Sequence, residues 1–175
     1  MDVEARVDPP LHAGERESLT AFLDFQRGTM LRKVAGLSKE QLGRVGVPPS
    51  GLTLAGLLKH LALVEDSWFQ EVFLGRPMPE PWTGVAWEDD DDWDFHSAPR
   101  DEPAELVEWY SAAVRRSRDV VAGAESLDQL SVEPIQREGR PFSLRWIVLH
   151  LVEQTARHAG HADLLREALD GQTGE

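Results

Sequence analysis

The segment from Ser143 to Leu169, S-L-R-W-I-V-L-H-L-V-E-Q-T-A-R-H-A-G-H-A-D-L-L-R-E-A-L, constrains this chain more than any other. Ile147, Leu151, Gln154, His158, His161 and Leu165 are spaced alternately by four and three residues. On an α-helix they fall within about 80° of arc. One narrow stripe is therefore apolar at both ends and carries an amide and two imidazoles in its middle. A soluble helix turns such a stripe toward the core, where unpaired polar groups are costly. A divalent metal is one partner that could answer them.

Composition removes several alternatives. A chain of 175 residues with 41 % apolar content is long enough for one domain with a sizeable core. No run approaches the ~18 apolar residues of a membrane span, and the acidic start M-D-V-E-A-R-V-D-P-P lacks the apolar stretch of a secretory signal. Both absences favour the cytoplasm. A formal charge of −13 argues against nucleic acid and anionic membranes as partners. With no cysteine in the chain, disulfides, thiolate-rich metal sites and cysteine nucleophiles are excluded. Any metal must be held by histidine, carboxylate, amide or water, and any thiol must arrive with a substrate.

Periodicity predicts four long helices and no internal repeat. Residues 1–14 read as a loose arm, and residues 15–175 as a single domain. The first helix is expected from Glu15 to Ala35, with Leu19, Leu23, Met30 and Val34 inward, Phe22 beside them and Gly36 as its stop. V-P-P-S-G (Val47 to Gly51) is a breaker. The second helix should run from a Thr53 cap to Phe73 on a stripe of Leu54, Leu57, Leu61, Val64, Trp68 and Val72, with His60 at its border. Residues 74–102 form a long acidic link containing Trp82, Trp87 and Trp93. A third helix is expected from Pro103 to Ala122, with Leu106, Trp109, Tyr110, Ala113 and Val114 on its apolar side. Residues 131–142 suggest a turn or hairpin. The fourth helix starts at a Ser143 cap and stops at Asp170-Gly171. Four amphipathic helices in one small domain indicate an all-α four-helix bundle, an architecture that builds metal sites from inward side chains on facing helices.

His158 and His161 lie at i, i+3, and Gln154 and His158 at i, i+4, so either pair can reach one ion. Neither pair is a full site, because catalytic zinc usually takes three protein ligands and an open position. His60 is the best further ligand. His150 lies roughly 12 Å from His158 along the helix axis, too far to share the ion. Histidines near a bundle core can also simply hydrogen-bond across helices, and the spacing alone leaves both readings open. His12 and His96 read as solvent histidines. The run E-D-D-D-D-W-D (Glu88 to Asp94) lacks the glycine and distal glutamate of a calcium loop and reads as a solvated acidic loop. Its tryptophans admit a second role in covering a pocket. Glu65 reads as the partner of an arginine or, alternatively, as a carboxylate orienting a ligand histidine.

Two blocks, L-L-K-H-L-A-L-V-E-D-S-W-F (Leu57 to Phe69) and L-R-W-I-V-L-H-L-V-E-Q-T-A-R-H-A-G-H-A-D-L-L-R-E-A-L-D-G (Leu144 to Gly171), resemble the DinB-like superfamily. Within it they are most similar to the actinobacterial mycothiol S-transferases. V-P-P-S before the second helix and L-R-K-V-A-G-L in the first fit that branch too. The resemblance covers nearly the whole chain. It implies a bundle of DinB-like type with one divalent metal, zinc foremost and nickel as an alternative, and a homodimer is a further expectation. The family's ligand histidine on the second helix falls on His60. The second member of its i, i+4 pair on the last helix falls on His158. The first member, commonly histidine or glutamate, falls on Gln154, a departure that makes the site less negative and for which His161 could compensate.

The expected activity is thiol S-transfer. A metal can lower the pKa of a small-molecule thiol, here mycothiol by resemblance, so that its thiolate attacks an electrophile. A metal- or ligand-binding bundle without turnover, and a metal-dependent hydrolase, are the alternatives.

Overall fold

The computed structural model describes residues 6–134 and 139–174, and only the backbone of Pro134. The protein is mostly helical, with one small two-stranded sheet. In chain order come α1 (Glu15–Val34), α2 (Lys39–Leu42), α3 (Leu54–Asp66), which continues as a π-helical segment (Ser67–Phe73), α4 (Trp93–Ser97), which runs into a 3-10 turn (Ala98–Arg100), α5 (Pro103–Gly123), β1 (Leu130–Pro134), β2 (Pro141–Ser143) and α6 (Leu144–Asp170).

The long helices begin and end on local chemistry. The Thr53 hydroxyl accepts from the Gly56 amide and starts α3, and the Ser143 hydroxyl accepts from the Trp146 amide and starts α6. Gly171 ends α6 with φ at +76°, in the left-handed region where a side chain would be strained. The short α2 has no apolar period to reveal it. Its signature is the capping box of Ser38 and Gln41, whose side chain and backbone groups satisfy each other.

Contacts at both ends set the helix directions. Arg145 of α6 pairs with Glu15, and Asp163 with Lys33, so α1 and α6 run parallel. Lys59 pairs with Asp101, just ahead of α5, and Asp66 with Arg116, so α3 and α5 also run parallel. His60 meets His158 while Trp68, farther along, meets His150, so α3 runs antiparallel to α6 and hence to α1, and Arg27 of α1 reaches Glu65 of α3 across the two pairs. A parallel α3–α5 pair requires the chain to return along the molecule between them, and residues 74–102 make that return. The same path lays α4 across α3.

The core has two apolar parts. One gathers Met30, Leu57, Leu58, Leu61, Leu106, Tyr110 and Ala162, and the other Leu23, Phe69, Phe73, Leu144, Ile147 and Leu151. The second helix departs from its expected course at Ser67. Widening to a π-helix turns Phe69 and Phe73 into the core where an α-helix would have sent Trp68 and Val72. Phe22, expected beside the α1 stripe, is half-exposed.

β1 and β2 pair antiparallel, with Leu130 opposite Ser143 and Pro134 opposite Pro141, which flanks the expected hairpin. Its residues 135–138 lie outside the described residues, as do residues 1–5 of the expected arm. Arg6 lies on α1, its guanidinium 4.1 Å from the Phe25 ring centroid and donating to Thr29. Among the described residues, no helix is long and apolar enough to cross a membrane.

Candidate metal centre

His60 projects from α3 and Gln154, His158 and His161 from α6, and the antiparallel α3–α6 contact brings all four together. His60 Nε2 lies 3.3 Å from Gln154 Nε2. The rings of His60 and His158 meet edge to face with centroids 5.0 Å apart. His158 Nδ1 lies 3.4 Å from His161 Nδ1. All four side chains are partly exposed, so the cluster sits at the bottom of a seam rather than in the closed core.

Two features set the protonation chemistry. Burial pushes the His158 imidazole down to about 4, helped by the neighbouring His60, His161 and Arg157, so at neutral pH its ring is uncharged with a free lone pair. On His60, Nδ1 donates to Asp94 Oδ2 at 2.8 Å. A carboxylate can only accept, so Nδ1 carries a proton, and in the neutral form of the ring the Nε2 lone pair faces Gln154. Phe95 stacks on the other face of the His60 ring, with centroids 4.7 Å apart.

Gln154 is under-satisfied. Its Oε1 is buried and makes no hydrogen bond of good geometry, although the Gln154 side chain also acts on the His150 imidazole one turn earlier, and among the described residues the hydroxyls of Tyr110 and Thr155 are likewise without partners. Unanswered acceptors of this kind are uncommon in folded proteins. Among the described residues, no group of three or more histidine, aspartate or glutamate side chains is poised to hold a metal. Any ligand set of three must therefore include the Gln154 amide or draw His161 inward.

The other sequence candidates fall elsewhere. His150 is stacked on Trp146 with centroids 5.0 Å apart and packs against Trp68 at 4.8 Å. Burial lowers its pKa as well. His12 is exposed, and His96 is largely exposed with its Nδ1 on Asp90. Glu65 receives Arg27 Nε at 2.7 Å and Arg27 Nη2 at 2.6 Å, which is its arginine reading rather than a role behind a histidine. A cavity of about 620 Å³ between α1 and α5 is lined by Arg6, Asp24, Arg27, Ser111 and Arg118, and none of the clustered histidines reaches it.

The expectation of a solvated acidic run is corrected at its last member. Asp94 is 2 % exposed, on α4, against His60. The signal that could have separated it is its flanking pair Trp93 and Phe95, because a carboxylate between two large aromatics is not a solvated-loop pattern. Trp82, in the same link, is buried and donates from Nε1 to Asp66 Oδ2 at 2.9 Å. Trp93 lies over the Lys59 ammonium at 4.1 Å. One tryptophan thus belongs to the core and the other clamps a buried cation.

No curated protein matches the chain. Residues 18–171, which run from within α1 to the end of α6 and include all four clustered side chains, match the mycothiol-S-transferase family, and the chain belongs to that family.

Proposed function

We propose that His60, Gln154 and His158, with His161 beside them, hold one divalent metal in a bundle of DinB-like type, and that the protein transfers a low-molecular-weight thiol, mycothiol, to an electrophile in the cytoplasm. Zinc is the first choice of metal and nickel the second. When bound, such an ion supplies Lewis acidity that lowers a thiol's pKa toward neutrality.

The observation that carries this reading is the meeting of the His60 ring, the uncharged His158 imidazole and an unanswered amide oxygen from two facing helices. Zinc–nitrogen bonds of about 2.0–2.1 Å imply a tetrahedral edge of about 3.3–3.4 Å between ligand atoms. The His60–Gln154 and His158–His161 contacts, at 3.3 and 3.4 Å, match that edge and are long for hydrogen bonds. Turning the amide of Gln154 end for end would present Oε1 where Nε2 now faces His60, at little steric cost. Bringing both pairs onto one ion requires side-chain rotation.

The residues divide the remaining work. His158 offers a neutral donor without first losing a proton. Phe95 shields one face of His60 from water. With no cysteine in the chain, no thiol of its own competes with the incoming thiol for an electrophile.

One observation favours a second reading, a metal-binding bundle without turnover. Gln154 stands where a charged or stronger ligand would serve better, and an amide offers a cation a dipole only. Metal analysis of untagged protein, followed by metal-dependent and thiol-dependent loss of an electrophilic test substrate, separates the two. Stoichiometric metal with no thiol-dependent turnover selects the second reading. Protein that takes up no divalent metal overturns both.

A further inference from the structure

Asp94 has a burial that its surroundings do not otherwise justify. Its carboxylate is 2 % exposed, and among the described residues its hydrogen-bond partner is the single Nδ1–H of His60. The other buried carboxylates on this side of the molecule, Glu65 and Asp66, each face an arginine. A buried carboxylate answered by a single imidazole N–H is a poor arrangement for stability. It becomes a good one when positive charge lies on the far side of that imidazole. Carboxylates that accept from a ligand histidine fix the ring's tautomer and orientation and raise its donor strength.

The surrounding structure holds Asp94 in place. Lys59, beside His60 on α3, is 1 % exposed and donates to Ser97 Oγ at 2.7 Å and Asp101 Oδ2 at 2.6 Å while lying under Trp93. Trp93 and Ser97 are four apart on α4, so Lys59 grips both turns of that helix. One turn earlier on α3, Gly56 lets α4 come close. A Cβ at position 56 would stand 2.9 Å from Phe95 Cδ1 and 3.5 Å from Phe95 Cα. Phe95 and Asp94 then reach His60 from one short helix, one against its ring face and the other at its Nδ1.

We propose that Asp94 is a positioning residue, delivered by α4, which locks His60 with its proton on Nδ1 so that the Nε2 lone pair is held toward Gln154 and His158. The role builds on the proposed metal centre but is defined on the metal-free protein.

Nitrogen-15 NMR of histidine-labelled, metal-free protein reads the tautomer directly, and titration with zinc alone reads the consequence. In the wild type, His60 should show a protonated Nδ1 and an unprotonated Nε2. Asp94→Ala should mix the tautomers and weaken zinc binding by about 10–100-fold. Asp94→Asn keeps an acceptor of the same shape, so the Nδ1–H tautomer should persist with a smaller loss of affinity. Gly56→Ala touches neither residue and should reproduce the Asp94→Ala spectrum by displacing α4, which keeps the test intact if Asp94→Ala does not fold. An unaltered His60 tautomer in Asp94→Ala, or in Gly56→Ala when Asp94→Ala is unfolded, overturns the proposal. A wild type that binds no zinc but shows the Asp94-dependent tautomer overturns the metal reading alone and leaves the positioning role supported.

Discussion

Two sets of buried or half-buried polar groups sit on the same face-to-face helices and are treated in opposite ways. Along α3, Lys59, Glu65 and Asp66 are each 1 % exposed. Each is saturated. Glu65 takes both prongs of Arg27, Asp66 takes two from Arg116 at 2.8 Å and one from Trp82, and Lys59 spends its ammonium on Ser97, Asp101 and Trp93. Next to Lys59, the cluster of His60, Gln154, His158 and His161 is left open. Its two internal contacts are long, an amide oxygen has no partner, and its imidazoles face one another. The first set holds the helices in register, and the second is the set proposed above to hold a metal. Tyr110 and Thr155 blur the division, since among the described residues their buried hydroxyls also lie without a partner, and burial and Glu65 raise the Tyr110 pKa.

The comparison breaks first, and hardest, at the frame. Glu65→Ala leaves the Arg27 guanidinium buried without its main partner and should cost about 3–5 kcal/mol in a denaturant titration of the metal-free protein. A loss below about 1 kcal/mol would mean that this pair is not structural, and the contrast would collapse.

His60→Ala and His158→Ala sharpen it from the other side. Each should lower bound metal sharply while changing the stability of the metal-free protein by only about 1 kcal/mol. Zinc at a hundred times its dissociation constant should raise the stability of the wild type by about 2.7 kcal/mol and should raise neither variant's. Near-stoichiometric metal in both variants would remove these histidines from the site.

How far the sequence discloses these features depends on the range of the interaction. The long helices and their caps Thr53, Ser143 and Gly171 are local features, visible as period, capping residue and stop. His158, His161 and Gln154 share one helix, so their spacing places them on one face. His60 is legible because it borders a strong stripe. Asp94 is not, because its burial is created by a residue 34 positions away and by the clamp of Lys59 on α4. The inward turn of Phe69 and Phe73 escapes the sequence for a related reason. An α-helical period cannot anticipate one widened turn, and only the packed core selects it.

Gln154→Glu tests which side of the comparison position 154 belongs to, with effects of opposite sign. In the metal-free protein a second carboxylate beside His60 lacks a cation and should cost about 1 kcal/mol. With metal, the full charge should tighten binding on the order of tenfold, or about 1.4 kcal/mol, with equal or greater thiol-transferase activity. Unchanged metal affinity would show that this side chain does not touch the ion, and the ligand set would then be His60, His158 and His161.

The smallest effect belongs to an ion pair with the same chemistry as Arg27–Glu65 and none of its burial. Arg145 donates to Glu15 from Nε at 2.7 Å and from Nη2 at 3.1 Å, tying the starts of α1 and α6, and it also holds Asp128. The hydrogen bond from Arg145 lowers the Glu15 pKa below its ordinary 4.5 against the opposing effects of desolvation and of Asp128. Because the folded-state pKa is the lower one, the stabilisation is complete above about pH 4.5 and is lost as pH falls through the lowered value. Glu15→Gln should therefore weaken the protein slightly at pH 7 and not at all at strongly acidic pH. Its cost should shrink further in 1 M salt, where the screening length falls to about 3 Å. The cost of Glu65→Ala should hardly respond to that salt, because a pair shielded by protein is screened far less. Equal salt sensitivity of the two variants would show that solvent reaches Arg27 and Glu65, and the buried frame would lose the property that sets it apart from the open cluster beside it.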